Sequence, residues 1–381
     1  MLATIKCSVE TMGKLILFGD NYRNKRVLIT GNTGFKGSWL SEWLLILGAE
    51  VSGFSDNIPT VPSLFAANHL EERIRQYWGD LQNREAVLEV ITEVQPDFIF
   101  HLGAQALVKR SYQDPVETFA TNTLGTVHVL DAFSKIKRSC VLIDITSDKC
   151  YENVEWTWGY RENDRLGGKD PYGASKGAAE LAFHSFYHSF IRHDLTKRAV
   201  TARTGNVIGG GDWAPDRIVP DCIRSWSEGF TVSIRSPFAT RPWQHVLEPL
   251  SGYLRVGELL TRQSQLNGES FNFGPDSEQN KTVLELIESI GKGWEEHLSG
   301  KALYEIEANP AFYEAGLLKL NIDKALHFLQ WRPTLRFTET AAFTNEWYQH
   351  FYKGKAENMT GFTVEQINKY IELATKRNQE W

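Results

Sequence analysis

Four cysteines in 381 residues, Cys7, Cys140, Cys150 and Cys222, are too few and too scattered for a disulfide framework or a metal-ligand cluster. They are expected as reduced thiols of a cytoplasmic protein, and no metal site is expected. No apolar run approaches the roughly 20 residues that a membrane-crossing helix needs. The opening stretch MLATIKCSVETMGKLILFGDNYRNK lacks a continuous apolar core and a clear cleavage site, so 1–24 reads as an N-terminal extension rather than an export signal. Low-complexity segments and internal repeats are missing too. So is any basic run: the net charge is −6, which argues against a nucleic-acid partner. An anionic ligand would then rely on a few placed arginines and on backbone amides.

What is present is alternation. Short apolar runs at RVLIT (26–30), EVSGF (50–54), IRQYWGD (74–80), DFIFHLG (97–103), CVLIDITS (140–147) and AVTART (199–204) are separated by helical patterns, among them 83–94, 115–133 and 171–193. Continuous apolar strands alternating with helices predict an α/β fold, a doubly wound parallel sheet covered on both faces. Beyond Arg203 the pattern loosens. TVSIR (231–235) and SFNFG (270–274) read as short strands of a smaller α+β lobe. Helices are expected from the capping box at Thr282 and Glu285, over about 338–350, and after Thr363.

After the first strand comes Gly31-Asn-Thr-Gly34-Phe-Lys-Gly37, opening a helix. Glycines there allow a tight turn and let a pyrophosphate approach free N–H groups at the helix N-terminus. Asp56, 19 positions past Gly37 and just after the second strand, stands where a carboxylate bonds the adenosine ribose of NAD and repels the extra phosphate of NADP. Lys36 inside the loop argues the other way, and NAD is the expectation. Asp80 either contacts adenine or caps its own loop. The expected division is a Rossmann-type NAD-binding domain over 25–205 and a mainly substrate-binding lobe over 206–381, interleaved with it so that about 230–270 can return to the first domain.

Tyr172 and Lys176 in PYGASKGAAE are spaced i and i+4, on one face of a helix. An ammonium beside a phenol favours the phenolate, which makes a base at neutral pH. Ser147 ends the fifth strand, where its hydroxyl can share a substrate oxygen. Asp148 and Lys149 follow it in TSDKCYEN, and Asn122 is a polar residue in an apolar helix.

These motifs resemble the extended short-chain dehydrogenase/reductase superfamily over about 18–347, in its sugar-nucleotide branch. The strings GFKGSWL, HLGAQALVKRSYQDPVETF, TSDKCYEN, RTGNVIGGGDW and ATRPWQHVLEPLSGYL are similar to the CDP-glucose 4,6-dehydratase family in particular. Gly103, where that family often has alanine, and the turn SDNIPT depart from it. The resemblance implies an NAD-dependent conversion of CDP-glucose to its 4-dehydro-6-deoxy form, a step toward the deoxysugars of surface polysaccharide such as O-antigen. It makes Tyr172 the base at the C4 hydroxyl, Asp148 the acid at C6 and Lys149 the base at C5, with Ser147 and Lys176 assisting. Burial or the cation Lys176 would lower the pKa of Lys149 in the direction that role requires.

By the same resemblance Thr33, Phe35, Leu81, Leu102, Gly103, Ala104 and Asn122 join the glycines around the cofactor. Arg110, Ser111, Arg203, Asn206, Arg217, Arg235, Arg241 and Gln244 are placed on the substrate side. Arginine suits a diphosphate because its planar donors match the oxygens. Trp213 and Trp243 either stack on cytosine or pack in the core. A homodimer or homotetramer is expected, with 115–133 and 171–193 as its contact. The competing readings are another sugar-nucleotide dehydratase, a 4-epimerase, or a nucleotide-sensing module without activity.

Overall fold

The computed structural model describes residues 17–276, 278–307, 317–379 and 381; residues 1–16 of the expected extension, Cys7 among them, lie outside these. Seven strands form the main sheet: β1 (Arg26–Thr30), β2 (Glu50–Ser55), β3 (Arg75–Trp78), β4 (Phe98–His101), β5 (Cys140–Ile145), β6 (Lys197–Thr204) and β7 (Ser270–Phe273). Their order is β7-β6-β5-β4-β1-β2-β3, and every pairing is parallel.

The central strands are mostly apolar because both faces are covered, and alternate side chains supply two cores, whereas the edge strand β3 is partly exposed. Leu28, Ile99 and Leu142 point to one face, against Val87, Val90 and Ile91 of helix Arg84–Val94 and Phe133 of helix Gly125–Lys135. Val27, Ile29, Phe100 and Ile143 point to the other, against Trp39 and Trp43 of helix Phe35–Ile46 and Leu250 and Leu254 of helix Leu247–Leu260. The order reverses between β1 and β4, so a crevice opens beyond the carboxyl ends of the central strands, where such sheets bind ligands.

Two elements differ from the expectation. SFNFG, expected in the smaller lobe, is the edge strand β7 and pairs with β6. The helix before it, Leu247–Leu260, is buried at every position because it lies between the sheet and the C-terminal helices. The helix expected over 115–133 is interrupted: Pro115–Phe119 passes through a π-turn, Ala120–Leu124, before continuing as Gly125–Lys135. Such turns are common at functional sites. The lobe has its own parallel pair, Val232–Ile234 with Tyr304–Ile306. Its helix Val283–Ile290 starts on the expected box, with Glu285 N donating to Thr282 Oγ1 at 3.1 Å and Thr282 N donating to Glu285 Oε2 at 2.8 Å.

The chain closes on itself through the last helix, Met359–Lys376. Tyr370 donates to Glu248 at 2.9 Å, and Trp347 Nε1 donates to Thr363 Oγ1 at 3.0 Å. Trp381 stacks on Phe18 at 5.1 Å and on Tyr370 at 5.9 Å. These rings cover the outer side of helix Phe35–Ile46 through Trp43. Trp381→Ala is expected to lower unfolding free energy by about 3 kcal/mol, the scale for truncating a buried tryptophan. A urea midpoint unchanged from the parent would show that this stack holds nothing.

Candidate active site

The first wall of the crevice is the glycine loop. Gly31 has φ +72, and a Cβ there would come within 2.7 Å of the Gly103 Cα, so the loops after β1 and β4 meet in backbone contact. At Gly37 a Cβ would fall 2.2 Å from Gly31 O. Helix Phe35–Ile46 starts at Gly34 with no side-chain cap, so its first amides remain available to an anion. The departure at Gly103 also has a cause: a Cβ there would press on Leu81 Cδ1 at 2.6 Å. Thr33 Oγ1 donates to Asn57 O at 2.7 Å and so fixes the loop to the turn after β2. Asp56, on that turn, is exposed, and its two oxygens accept from Asn57 N and Nδ2 at 2.9 Å each. Asp80 accepts from Gln82 N at 2.8 Å, the loop-capping arrangement.

The second wall carries acid–base groups. Ser147 ends the segment after β5 and caps a short turn, accepting from Lys149 N at 3.2 Å and donating to Asp148 Oδ1 at 3.0 Å. Asp148 is buried, with its carboxylate against Gly205, where a Cβ would lie 1.9 Å from Oδ2. Burial raises its pKa, against the pull of Lys149, Ser147 and Lys36. Helix Pro171–Phe186 brings Tyr172 and Lys176 to the same place, and Lys176 Nζ donates to Ile145 O at 3.3 Å. Lys149 is half-buried beside them.

One electrostatic expectation fails. The phenol of Tyr172 is pushed up to about 12 rather than down, because burial outweighs the hydrogen-bonding pull of Ser147. Lys176 is lowered by its own burial, while Asp144 and Glu180 hold it up.

Lys36 is redirected as well. Read from the sequence as a hint of NADP, it faces Asp148, Lys176, Arg217 and Asp212 instead, at the acid–base end of the crevice. Burial, then Arg217, lowers its pKa to about 7. Phe35 abuts Gly209, Leu102 and Ala104 are partly exposed along the loop after β4, and Leu81 is buried. Asn122 sits in the π-turn with both amide hydrogens committed, to Gln105 O at 3.0 Å and Ser175 Oγ at 2.9 Å. It braces the catalytic helix against the loop after β4.

The expected substrate side separates into two groups. Arg217 pairs with Asp212 at 2.8 Å and acts electrostatically on Tyr172, which puts it in the site. Asn206, in the left-handed region at φ 39, turns the chain just after Gly205, and the half-buried Arg241 lies on a short strand paired with Lys281. Arg203 is a correction: it is fully buried behind the sheet, with Nε and Nη2 each 2.8 Å from Glu180, and cannot reach a ligand in the crevice. Ser111 is likewise buried, donating to Val108 O at 2.6 Å. Gln244 is buried and clips Thr204 Oγ1 at 2.7 Å. Arg110 pairs with Glu117 at 2.9 Å on the surface, and Arg235 is exposed near Asp221. Trp213 and Trp243 are core residues, the first packed on Trp347, Tyr348 and Phe351.

Sequence reasoning missed Glu180, Asp144 and Asp212. Glu180 had a signal, since it continues the Tyr172, Lys176 spacing by four residues on the same helix face. Asp144 stood inside an apolar strand, where a carboxylate calls for a partner.

The profile of the GDP-mannose 4,6 dehydratase family matches residues 28–344. The chain is 43% identical to a CDP-glucose 4,6-dehydratase from Salmonella typhimurium, over 93% of this chain and 98% of that protein. It is 26% identical to a CDP-paratose 2-epimerase from Salmonella typhi, over 70% and 83% of the two chains. Among solved structures, a Methanothermobacter thermautotrophicus epimerase superposes with a TM-score of 0.75 at 22% identity, covering 90% of this chain and 97% of that one. The dTDP-glucose 4,6-dehydratase DesIV from Streptomyces venezuelae, solved with NAD bound, gives 0.71 at 22% identity, covering 85% and 97%.

Replacing Arg203 by methionine strands the Glu180 charge in the interior. The loss of stability is expected to be about 3–5 kcal/mol. Adding Glu180→Leu should recover most of it, since no charge is then left unpaired. Equal denaturation midpoints for the parent and Arg203→Met would refute the role given to this pair.

Proposed function

This chain belongs to the GDP-mannose 4,6 dehydratase family, and from that premise we propose that it converts CDP-D-glucose to CDP-4-dehydro-6-deoxy-D-glucose. The observation that carries the reading is the Ser147–Asp148–Lys149 turn set against Tyr172 and Lys176. It is supported by the 43% identity to a CDP-glucose 4,6-dehydratase over nearly the whole chain. The uncapped helix N-terminus and the glycines that exclude a Cβ suit the pyrophosphate of NAD, and Asp56 suits its ribose. When bound there, NAD would accept a hydride from C4 and return it to C6, and its cationic ring would favour the phenolate.

The protein's own groups move the protons. Tyr172 takes the C4 hydroxyl proton as C4 is oxidised, with Lys176 beneath it. The resulting ketone acidifies C5–H, and Lys149 removes that proton. Asp148 gives its proton to the C6 hydroxyl, which leaves as water. Burial raises the Asp148 carboxyl above the ordinary carboxylate range, the direction that suits an acid. C5 then regains its proton as C6 is reduced. Arg217 and Arg241 are the diphosphate cations of this reading, with Asn206 beside them.

Helices along one surface leave Tyr112, Val116, Phe119, Leu181 and Phe190 exposed. We assign that face to a second copy of the chain, as a homodimer or a dimer of dimers. Among the described residues no helix is long and apolar enough to cross a membrane. A cytoplasmic enzyme supplying deoxysugars for surface polysaccharide fits this reading.

Mass spectrometry after incubation with NAD and CDP-glucose, UDP-glucose or dTDP-glucose tests the proposal. A product one water lighter from CDP-glucose alone is the expected result, and an isomer of unchanged mass would mean an epimerase. Lys149→Ala should lower turnover by about 10²–10⁴-fold, the usual worth of a positioned base. It should lose C5–deuterium exchange while C4 oxidation persists. Normal exchange in that variant would remove Lys149 from its role.

A further inference from the structure

An acid at C6 has to keep its carboxyl in one place, within hydrogen-bond reach of the departing hydroxyl. Ser147 Oγ holds one oxygen of Asp148, donating to Oδ1 at 3.0 Å. The other lies against the backbone of the neighbouring strand mouth, at Gly205.

A Cβ on Gly205 would lie 1.9 Å from Asp148 Oδ2, 2.3 Å from Cγ and 2.9 Å from Oδ1, and these are its three nearest atoms. The carboxyl of Asp148 thus fills the space that a side chain at 205 would take. Gly205 lies outside the left-handed region, so backbone conformation does not call for glycine there. The contact does.

Neither backbone is placed to draw back. Gln244 Nε2 donates to Gly205 O at 3.0 Å and to Thr204 Oγ1 at 2.7 Å, and Gln244 N donates to Asn206 O at 3.3 Å. Gln244 is itself buried, on a short strand paired with Val207–Ile208. On the other side the turn is closed on itself, with Tyr151 N donating to Asp148 O at 3.3 Å and Cys150 N to Ser147 O at 3.2 Å. A methyl group added at 205 is therefore relieved by turning the Asp148 side chain, which breaks its bond to Ser147.

We propose that Gly205 is a positioning residue for the dehydration step: by carrying no side chain it leaves the Asp148 carboxyl the place from which it reaches C6, and Gln244 keeps that place open. This rests on the reading of Asp148 as the acid at C6. Tyr172 and Lys176 stand outside the contact, so C4 oxidation does not depend on it. A carboxyl turned out of the pocket also loses the burial that raises it toward an acid's range.

The test is Gly205→Ala, loaded with NAD and mixed with CDP-glucose, followed by NADH absorbance and by mass spectrometry of product. Hydride should pass from C4 to NAD, and the hydroxyl proton to Tyr172, as in the parent. Water should leave about 10²-fold more slowly, the usual effect of misplacing a reacting group by about 1 Å, so NADH accumulates beyond the parent level. Parent-like product formation would overturn the proposal. So would an equal loss of C4 oxidation and dehydration, the mark of a general disturbance of the strand mouth. The contact itself is read without cofactor, by urea denaturation of Gly205→Ala made in the parent and in Asp148→Ala. The substitution should lower the midpoint of the parent and leave that of Asp148→Ala unchanged, because the atoms it strikes are then gone. An equal loss in both would show that Gly205 serves the backbone and not the carboxyl. If the single variant does not fold, a double variant that folds like Asp148→Ala supports the contact, and one that also fails to fold overturns it. Asp148→Asn separates the two levels: parent-like dehydration in that variant would sink the acid assignment, while the urea cycle would still report the contact.

Discussion

The buried pair between Glu180 and Arg203 is the constraint on which the site depends. It ties helix Pro171–Phe186 to β6 from behind, so the two turns ahead of Glu180 present Lys176 and Tyr172 at a fixed height above the strand ends. Burial alone would discharge both partners. Their mutual attraction overrides it, holding the Glu180 carboxyl low and the Arg203 guanidinium well above its ordinary range. The remaining polar atoms are satisfied by Thr146 at 2.5 Å, Thr201 at 2.9 Å, Tyr151 at 2.7 Å and Ser270 at 3.1 Å. These partners come from the segment after β5, the middle of β6 and the start of β7, so the pair fastens three adjacent strands to the helix that faces them.

In front of that pair, burial becomes the tuning agent. The same desolvation that raises Asp148 also raises Tyr172 and lowers Lys176. An acid at C6 benefits from that shift, whereas a base at C4 does not. The two opposite needs are met by charge: the carboxyl lies deep against Gly205, while the phenol sits on the side of Arg217. Positive charge brought by NAD would oppose that upward shift of the phenol.

The parallel sheet was legible because strands buried on both faces are mostly apolar, as β1, β4 and β5 are apart from Asp144 and the polar residues at their ends. The glycine loop and the Tyr172, Lys176 pair were legible for the same kind of reason, since local spacing fixes local geometry. Arg203 was misplaced because a charged residue near a strand end looks the same whether it faces the crevice or the core. Only its distant partner Glu180 decides that. The break at Asn122 could not be read either, because a π-turn leaves the helical composition intact. β7 was placed in the wrong unit because a four-residue apolar run carries no record of which sheet it joins.

Lys36 carries the same lesson to the point where chemistry meets fold. On the helix surface it lies three residues before Trp39, whose indole N–H donates to Gly210 O at 2.9 Å. That bond holds the first turn against the loop leading to Asp212, the side on which Lys36 meets Asp148, Arg217 and Asp212. A cation in a dinucleotide loop thus ends beside Asp148 because one indole is anchored to one carbonyl. In this fold the first turn after the glycines offers uncapped backbone amides on one side and the Lys36 side chain to the acid–base cluster on the other.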